Sequence, residues 1–448
     1  MRSFLVPLSL GIAACNFTEF DTLGADTPVT AYVTKAYGAR VALVGDATGI
    51  AVLFAGGVPG EGARFYSVGD GLAAPATAPR NNAALCELSG DKLIAGTPCI
   101  GGTTLAAVGS LVYPAGRDHL GCAVVGYGRV TTDATNYGPV MVCADGQTFT
   151  LSGAPGSKID EGLKLLNPTT IAAVRVSFAA LPGSTGNNAH IVMGSEADGA
   201  AWYWPAANAG DSPRTVPAPT DAKAGRFGAA TAIGHAGAMP MVLVAAPDNG
   251  RVHAYIAGTD GELSPLACLG GDKGLGTALV VGDVDKDGMD DVVATMGNAI
   301  VLFLGKNRPT TPGTGDCPAA WPPEPTRLLC ADFFGGGCDG AQFGASLAIG
   351  DLDGNGTMEV AVGAPGASYQ GVPGAGAVFL FTPSVSPLVA DVRGLSQPAT
   401  GDAFGAAVSI AKVGTQDTLA VGARGKGAAY VTWCTRLPGT PSTPRCRK

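Results

Sequence analysis

Charged residues and histidines are scarce in this sequence. Asp, Glu, Lys and Arg together make up 14% of the 448 residues, and there are four histidines. The net charge of −8 has the wrong sign for a protein that grips phosphate groups, so nucleic-acid binding is not expected. Because 46% of the residues are hydrophobic, the chain has ample material for a core and a largely disordered state is excluded.

Common catalytic and nucleotide-binding signatures are also missing. The chain has no Gly-x-Ser-x-Gly nucleophile elbow, no phosphate loop with Gly-Lys-Ser/Thr and no Cys-x-x-Cys pair. The four histidines lie in different parts of the chain with no motif joining them; they are His119, His190, His235 and His253. We therefore expect neither an enzyme nor a nucleotide-binding protein, with a hydrolase or lyase as the alternative.

The N-terminus has the features of an export signal. Residues 1–14 contain an apolar run of about a dozen residues, too short to span a bilayer. The run ends in Ile12-Ala13-Ala14-Cys15, which resembles the bacterial lipobox and implies cleavage before Cys15 and lipidation of that cysteine. We expect a signal peptide at 1–14 and a lipidated tether at 15–29, with an ordinary signal as the alternative. Localisation would then be the bacterial cell envelope, at the outer membrane, facing the periplasm or the surface, with the lipid as the sole membrane attachment.

Lipidation of Cys15 would leave ten of the eleven cysteines, an even number that suits disulfides in an oxidising compartment. Pairing between near neighbours predicts Cys86–Cys99, Cys122–Cys143 and Cys434–Cys446. The other four cysteines would pair among themselves; they are Cys268, Cys317, Cys330 and Cys338. A zinc site is the rival interpretation, but no histidine has ligand spacing.

Glycine and proline are abundant, with 68 and 32 residues, and they separate short apolar runs that have the length of strands. A repeat begins with Phe-Gly or Leu-Gly followed by Ala or Thr, at Phe227, Leu275, Phe343 and Phe404. In the N-terminal half the pattern is fainter, and there we expect units to open with the runs Val41–Gly45, Gly121–Tyr127 and Ala172–Phe178. The stretch from Leu85 to Tyr113 is expected to hold one more unit or the outer strands of its neighbours. A spacing of about 60 residues over about 400 residues predicts seven units, with eight as the alternative.

Units of three or four antiparallel strands cannot bury both faces alone, and a radial stack solves this without long free edges. We therefore predict an all-β fold with a single, disulfide-stapled β-propeller over residues 30–434. The early strand Val29–Thr34 is a candidate to complete the last unit. The Pro- and Gly-rich stretch at about 308–338 is expected to be an insertion, and residues 435–448 a C-terminal tail.

Two of the turns are strongly acidic. Side-chain oxygens fall at loop positions one, three, five and nine, with glycine at six, in both 283–291 and 351–359. Alternate residues of such a loop turn their oxygens inward, and a carbonyl at position seven completes an oxygen shell suited to Ca²⁺. The matching turns at Gly234–Pro240 and Val413–Asp417 lack these carboxylates, so no metal is expected there.

The unit that contains the second acidic loop closely resembles the FG-GAP repeat of the integrin α-subunit propeller and its bacterial relatives. The resemblance is carried by Phe343-Gly344, the acidic loop and Val362-Gly363-Ala364-Pro365. It implies two calcium sites, each between two strands of a unit, with carbonyl oxygens from Met289 and Thr357. The implied side-chain ligands are Asp283, Asp285, Asp287 and Asp291 in one loop and Asp351, Asp353, Asn355 and Glu359 in the other.

Taken together, these patterns predict a lipid-anchored envelope protein with a binding or adhesion role. A calcium-stabilised propeller would present its loops to a protein or glycan partner. A structural component of an envelope assembly is a further alternative.

Overall fold

A computed structural model describes most of the C-terminal half of the chain and the strands of the N-terminal half. The described ranges are 40–45, 51–56, 64–68, 88–89, 92–93, 99–112, 118–130, 135–143, 148–150, 176–182, 189–196, 198–205, 213–324, 327–330, 340–352, 354–383, 391–435 and 445–446. Every element longer than three residues in these ranges is a β-strand. No helix in the same ranges has both the length and the apolar character needed to cross a lipid bilayer.

Seven sheets of at least three described strands follow one another along the chain, and we number them blades 1 to 7. A two-stranded hairpin, β4–β5, lies between the first two. The strands up to blade 3 are β1 (Arg40–Gly45), β2 (Ala51–Gly56), β3 (Arg64–Val68), β4 (Leu88–Ser89), β5 (Lys92–Leu93), β6 (Cys99–Val112), β7 (Asp118–Val130), β8 (Thr135–Cys143), β9 (Thr148–Thr150), β10 (Val176–Pro182), β11 (Ala189–Ser195), β12 (Ala200–Trp204) and β13 (Arg214–Thr215). Blades 1, 2 and 3 are β1–β3, β6–β9 and β10–β13.

Blades 4 to 7 use the remaining strands. These are β14 (Thr231–Ala236), β15 (Met239–Ala246), β16 (Arg251–Ala257), β17 (Leu263–Gly270), β18 (Leu275–Gly282), β19 (Asp291–Met296), β20 (Ala299–Phe303), β21 (Ala320–Trp321), β22 (Arg327–Leu329), β23 (Ser346–Gly350), β24 (Glu359–Ala364), β25 (Ala377–Phe381), β26 (Asp391–Arg393), β27 (Phe404–Val413), β28 (Gln416–Ala423), β29 (Ala428–Thr435) and β30 (Arg445–Cys446). Single 3₁₀ turns lie at Pro247–Asn249 and Gly305–Asn307. Neighbouring strands within the blades pair antiparallel, except for β17 and β21 of blade 4, which pair in parallel.

The first strands of the seven blades contact one another in cyclic order. The contacts run through β1, β6, β10, β14, β18, β23 and β27, and β27 packs against β1 to close the ring. A closed ring of radially arranged antiparallel sheets is the architecture of a β-propeller. The predicted all-β propeller is confirmed, and its described strands form seven blades rather than eight.

The hydrophobic core lies between successive blades. In β15, Met241, Leu243 and Ala245 pack towards blade 5, whereas the alternate residues Val242 and Val244 pack towards blade 3. Since successive side chains of a strand point to opposite faces, a strand covered on both faces reads as an unbroken apolar run. The run of apolar residues that flags each strand in the sequence therefore follows from its place between two blades.

The Phe-Gly repeat marks the contact of each blade with the one before it. Phe227, Phe343 and Phe404 are fully or almost fully buried. In three copies of the repeat, a side-chain hydroxyl of the preceding blade donates a hydrogen bond to the carbonyl oxygen of the glycine that follows the phenylalanine. The bonds are Ser177 Oγ to Gly228 O (3.1 Å), Thr295 Oγ1 to Gly344 O (2.7 Å) and Ser346 Oγ to Gly405 O (3.0 Å).

The order of the strands in blade 2 differs from the expectation. The segment Gly121–Tyr127 was expected to open a unit, but it lies in β7, the second strand, and β6 takes the inner position. Both strands are long and apolar, so their order in the blade depends on contacts with blades 1 and 3. The segment Val29–Thr34 lies outside the described residues, and the strand beside β29 in blade 7 is β30.

The insertion near 308–338 serves two blades. Its strand β21 pairs in parallel with β17 as a fifth strand of blade 4, while β22 is the outer strand of blade 5. A disulfide between Cys268 and Cys317 joins the insertion to β17. Trp321 is fully buried and its Nε1 donates to Leu304 O at 2.9 Å.

The structure tests part of the predicted cysteine pairing. Cys268 and Cys317 pair as two of the four predicted to combine among themselves, and Cys330 is also disulfide-bonded. Cys122 faces Cys143, and Cys434 faces Cys446, as direct partners across antiparallel strands. These two disulfides stay predictions. Cys86 and Cys338 lie outside the described residues, so Cys86–Cys99 also stays a prediction. Cys15 and the whole N-terminal segment also lie outside them.

Candidate metal loops of blades 5 and 6

The loop at 283–291, loop 1, connects the first two strands of blade 5. It is closed by its own side chains, because Asp283 accepts hydrogen bonds from the backbone N–H groups of Asp287 (3.1 Å) and Gly288 (2.9 Å). Asp287 Oδ1 in turn accepts from Met289 N at 2.8 Å. Such bonds from aspartate to nearby N–H groups fold the chain into a tight loop. Glycine at position six has a φ of +85°, a left-handed conformation that other residues rarely adopt.

Three carboxylates of loop 1 converge. Asp283, Asp285 and Asp287 each offer an oxygen, and these oxygens lie within 4.8 Å of one another. Like charges at this range repel unless a cation lies between them. Lys306 supplies one positive charge from outside the loop, since its Nζ donates to Asp285 Oδ2 at 3.0 Å, and this hydrogen bond raises the pKa of Lys306.

Asp291, at position nine, is placed differently. It is fully buried, and its two oxygens accept from Val284 N (2.8 Å) and Gly305 N (2.6 Å). Burial raises the pKa of Asp291 to about 6, although these two N–H groups act in the opposite direction. It therefore ties the start of the loop to the end of β20, and it is not part of the cluster of three.

The loop at 351–359, loop 2, repeats this hydrogen-bonding pattern in blade 6. Asp351 Oδ2 accepts from Gly356 N at 2.8 Å, as Asp283 does from Gly288. Asn355 Oδ1 accepts from the backbone N–H of Thr357 at 2.6 Å and from its hydroxyl. Two separate stretches of the chain thus share one pattern of loop hydrogen bonds, as their common spacing predicted. The predicted ligand Asp353 lies outside the described residues.

Glu359 fills the place of Asp291 in loop 2. It is buried, and its Oε2 accepts from Leu352 N at 2.8 Å, the counterpart of the bond from Val284 N to Asp291. Its Oε1 accepts from the Thr382 hydroxyl at 3.1 Å. The longer side chain therefore keeps the same contact across the blade.

One oxygen of loop 2 is buried without a hydrogen-bond partner in the described part of the chain. It is Oδ1 of Asp351, whose other oxygen is held by Gly356. Burying a carboxylate oxygen without compensation is costly. Since the loop donor set consists of carboxylate, amide and carbonyl oxygens, the residues present fit a hard divalent cation such as Ca²⁺.

Two further aspartates link these turns to neighbouring blades, and the sequence reasoning missed both. Asp290 Oδ2 accepts from His235 N of blade 4 at 2.6 Å. Asp417 Oδ2 of blade 7 accepts from Asp351 N of loop 2 at 2.7 Å. The turn Val413–Asp417 was described as lacking carboxylates, but Asp417 directs its carboxylate across the blade boundary. Alignment of the repeats was the available signal, because Asp290 directly precedes the second strand of its blade and Asp417 lies at the start of the second strand of its own.

His253 is buried at the contact between β16 and the insertion. It is 2% exposed, its Nδ1 bonds Asp316 O at 3.1 Å and lies 3.4 Å from Cys268 Sγ. Burial lowers the pKa of His253. His253, Cys268 and Cys317 lie close enough to form a metal-ligand cluster, but the two sulfurs are joined in the disulfide. A zinc site is therefore not formed by these residues.

The closed ring of seven first strands defines the protein as a β-propeller. Residues 343–381, from the buried phenylalanine through loop 2 to the end of β25, match the family model described as FG-GAP repeat. The chain is thus a β-propeller that carries an FG-GAP repeat in blade 6, as the sequence resemblance implied.

Among solved structures, the chain is similar to the β-propeller domain of Cps50 (Swd1) from Myceliophteria thermophila. The two are 11% identical, with a TM-score of 0.49, over 90% of this chain and 98% of that chain. No curated protein matches the chain. The propeller assignment rests on the closed ring of strand contacts.

Proposed function

We propose that this protein is a lipid-anchored protein of the bacterial cell envelope in which a calcium-stabilised propeller presents loops to a protein or glycan partner. Adhesion or stable binding is its role, and we assign it no catalytic activity. The observation that carries the proposal is the repetition of one acidic loop geometry in the consecutive blades 5 and 6.

Calcium would be held in loop 1 by Asp283, Asp285 and Asp287 with the carbonyl of Met289. In loop 2 the corresponding groups are Asp351, Asp353, Asn355 and the carbonyl of Thr357. Asp291 and Glu359 are the predicted ligands at position nine. The bound ion would supply the positive charge that the clustered carboxylates need, and would staple the first two strands of each blade.

The candidate partner surface is formed by loops that can vary without disturbing the blades. One is the insertion near 308–338, which the Cys268–Cys317 disulfide joins to blade 4. Another is the turn around Tyr369 in blade 6, where Gln370 and Gly371 have φ values of +51° and +80°. Two positive φ values in succession give a tight hairpin turn, which the bridge between Tyr369 and Val372 closes.

Calcium binding is tested by thermal unfolding of the full chain. Calcium should raise the midpoint and a chelator should reverse the rise, because an ion that binds the folded state stabilises it by mass action. The double variant Asp285→Asn/Asp351→Asn should lose most of the rise. Asp260→Asn, which alters an exposed aspartate turn in blade 4, is the matched control and should keep it. A melting curve that does not move across the calcium titration contradicts the proposal.

Anchoring and binding are tested separately. The expressed chain should partition into detergent, and Cys15→Ser should abolish this partitioning.

For the partner, envelope extract and a glycan array should be probed with the protein in calcium and in chelator, alongside Asp285→Asn/Asp351→Asn. A specific ligand retained only by the calcium-loaded protein is expected. Turnover in a screen of ester, phosphate and glycoside substrates would instead favour a hydrolase or lyase.

A further inference from the structure

We propose that Asp417 of blade 7 is a positioning residue for the cation site of loop 2, so that the ion in blade 6 also fastens blade 6 to blade 7. This inference rests on the proposed calcium binding and extends it to a residue outside the loop. The calcium site of loop 2 is then shared by two blades, whereas that of loop 1 is complete within blade 5.

The contact that carries the inference is a single short hydrogen bond. Asp417 Oδ2 accepts from the backbone N–H of Asp351 at 2.7 Å. Asp351 opens loop 2, and its Oδ1 is the buried oxygen without a partner among the described residues. Because the bond fixes the peptide plane just before the Asp351 side chain, it fixes the direction in which that carboxylate enters the loop.

The approach of Asp417 is closely packed. A Cβ atom on Gly350 would lie 2.8 Å from Asp417 Oδ2 and 2.3 Å from Ile410 Cγ2. Glycine at the end of β23 is therefore required for blade 7 to come this close. The same packing recurs one boundary away, where a Cβ on Gly234 would lie 2.8 Å from Asp290 Oδ2. The two contacts are one structural device used at two blade boundaries.

What differs between the two boundaries is the segment whose backbone N–H donates the hydrogen bond. Asp290 binds the N–H of His235, in a turn without the acidic pattern, whereas Asp417 binds the N–H of a predicted ligand. In blade 6 the residue that corresponds to Asp290 is Met358, directly before Glu359. Loop 2 therefore sends no such aspartate to blade 5 but receives one from blade 7.

Charge favours the same conclusion. Loop 1 has an aspartate at position five, Asp287, but loop 2 has the neutral Asn355 there. Asp417 brings a further carboxylate next to Asp351 from the adjoining blade. A nearby negative charge strengthens the attraction for a cation even without direct contact. Asp417 therefore acts on loop 2 in two separable ways, through its hydrogen bond and through its charge.

The test measures calcium binding to the full chain by calorimetry, in a background where loop 1 is silenced by Asp283→Asn/Asp285→Asn. Asp417→Ala removes the hydrogen bond and the charge and should weaken the remaining site about 10-fold, as removal of outer-shell partners commonly does. Asp417→Asn keeps an acceptor but loses the charge and should weaken it about threefold. The matched control Asp290→Ala breaks the corresponding contact with blade 4 and should leave the site unchanged.

Hydrogen exchange gives a second readout that a purely structural role of Asp417 would not move. Calcium should slow amide exchange in β28 of the loop 1-silenced protein, and this effect should be lost in the Asp417 variants. If Asp417→Ala does not fold, Asp417→Asn decides: an affinity equal to that of the background overturns the inference. If the background itself binds no calcium, the proposed calcium function of loop 2 fails, which is a separate outcome.

Discussion

Replacing Gly344 with alanine should destabilise the propeller at the boundary between blades 5 and 6. Gly344 has a φ of +82°, and a Cβ atom there would lie 2.6 Å from Thr295 Oγ1 and 2.7 Å from Thr295 Cγ2. The same Thr295 hydroxyl donates the buried 2.7 Å hydrogen bond to Gly344 O. The new methyl group would therefore push apart the two blades where that bond joins them.

The magnitude follows from three contributions. A left-handed backbone costs a non-glycine residue about 1–2 kcal/mol. Overpacking of a buried contact costs about 1–3 kcal/mol, and loss of the hydrogen bond costs about 1 kcal/mol. We expect the free energy of unfolding to fall by about 3–6 kcal/mol in the Gly344→Ala variant, measured by urea denaturation.

The control is Gly371→Ala, because Gly371 has a φ of +80° with no atom within 4 Å of an added Cβ. This variant carries the backbone cost without the contact and should lose only about 1–2 kcal/mol. Thr295→Ala combined with Gly344→Ala should recover part of the loss, with a coupling energy of at least about 1 kcal/mol. Equal losses in the Gly344 and Gly371 variants would refute the reasoning from contact.

The remaining predictions concern calcium affinity, pH and the disulfide. Lys306→Met should strengthen calcium binding in loop 1, measured by calorimetry, because the ammonium no longer competes for Asp285; equal affinity contradicts this. Since burial lowers the pKa of His253, the unfolded chain takes up this proton first on acidification. Stability should therefore fall as the pH drops below about 6.5, and His253→Phe should reduce the fall in melting temperature. The Cys268–Cys317 disulfide joins residues 49 positions apart. Its reduction should expose the insertion to proteolysis and lower the free energy of unfolding by about 4 kcal/mol. An insertion that resists protease equally in both redox states would count against this role.

The repeating strands could be predicted because each has both faces buried. A strand such as β15 must be apolar throughout, since one face packs on blade 3 and the other on blade 5. The spacing of these runs predicted a propeller of seven units. The prediction was weakest in blade 2, where the inner strand is β6 and not the segment around Gly121, because neither apolar run says which one faces the axis.

The loops were likewise predictable as far as their own residues close them. The bonds from Gly288 N to Asp283 and from Gly356 N to Asp351 span five residues each, so the local spacing dictates them. The bond from Asp351 N to Asp417 joins residues 66 positions apart. No local pattern contains that bond.

The sequence by itself determined the strand and turn repeat, the acidic loops and the FG-GAP repeat of blade 6, because each depends on residues close together along the chain. Only the tertiary structure decided how blades are joined: which hydroxyl holds the carbonyl of Gly344, which cysteine holds the insertion, and which aspartate reaches loop 2. These contacts form where the ring brings the end of one blade beside the start of another. Their geometry depends on closure of the whole ring, which no single repeat specifies.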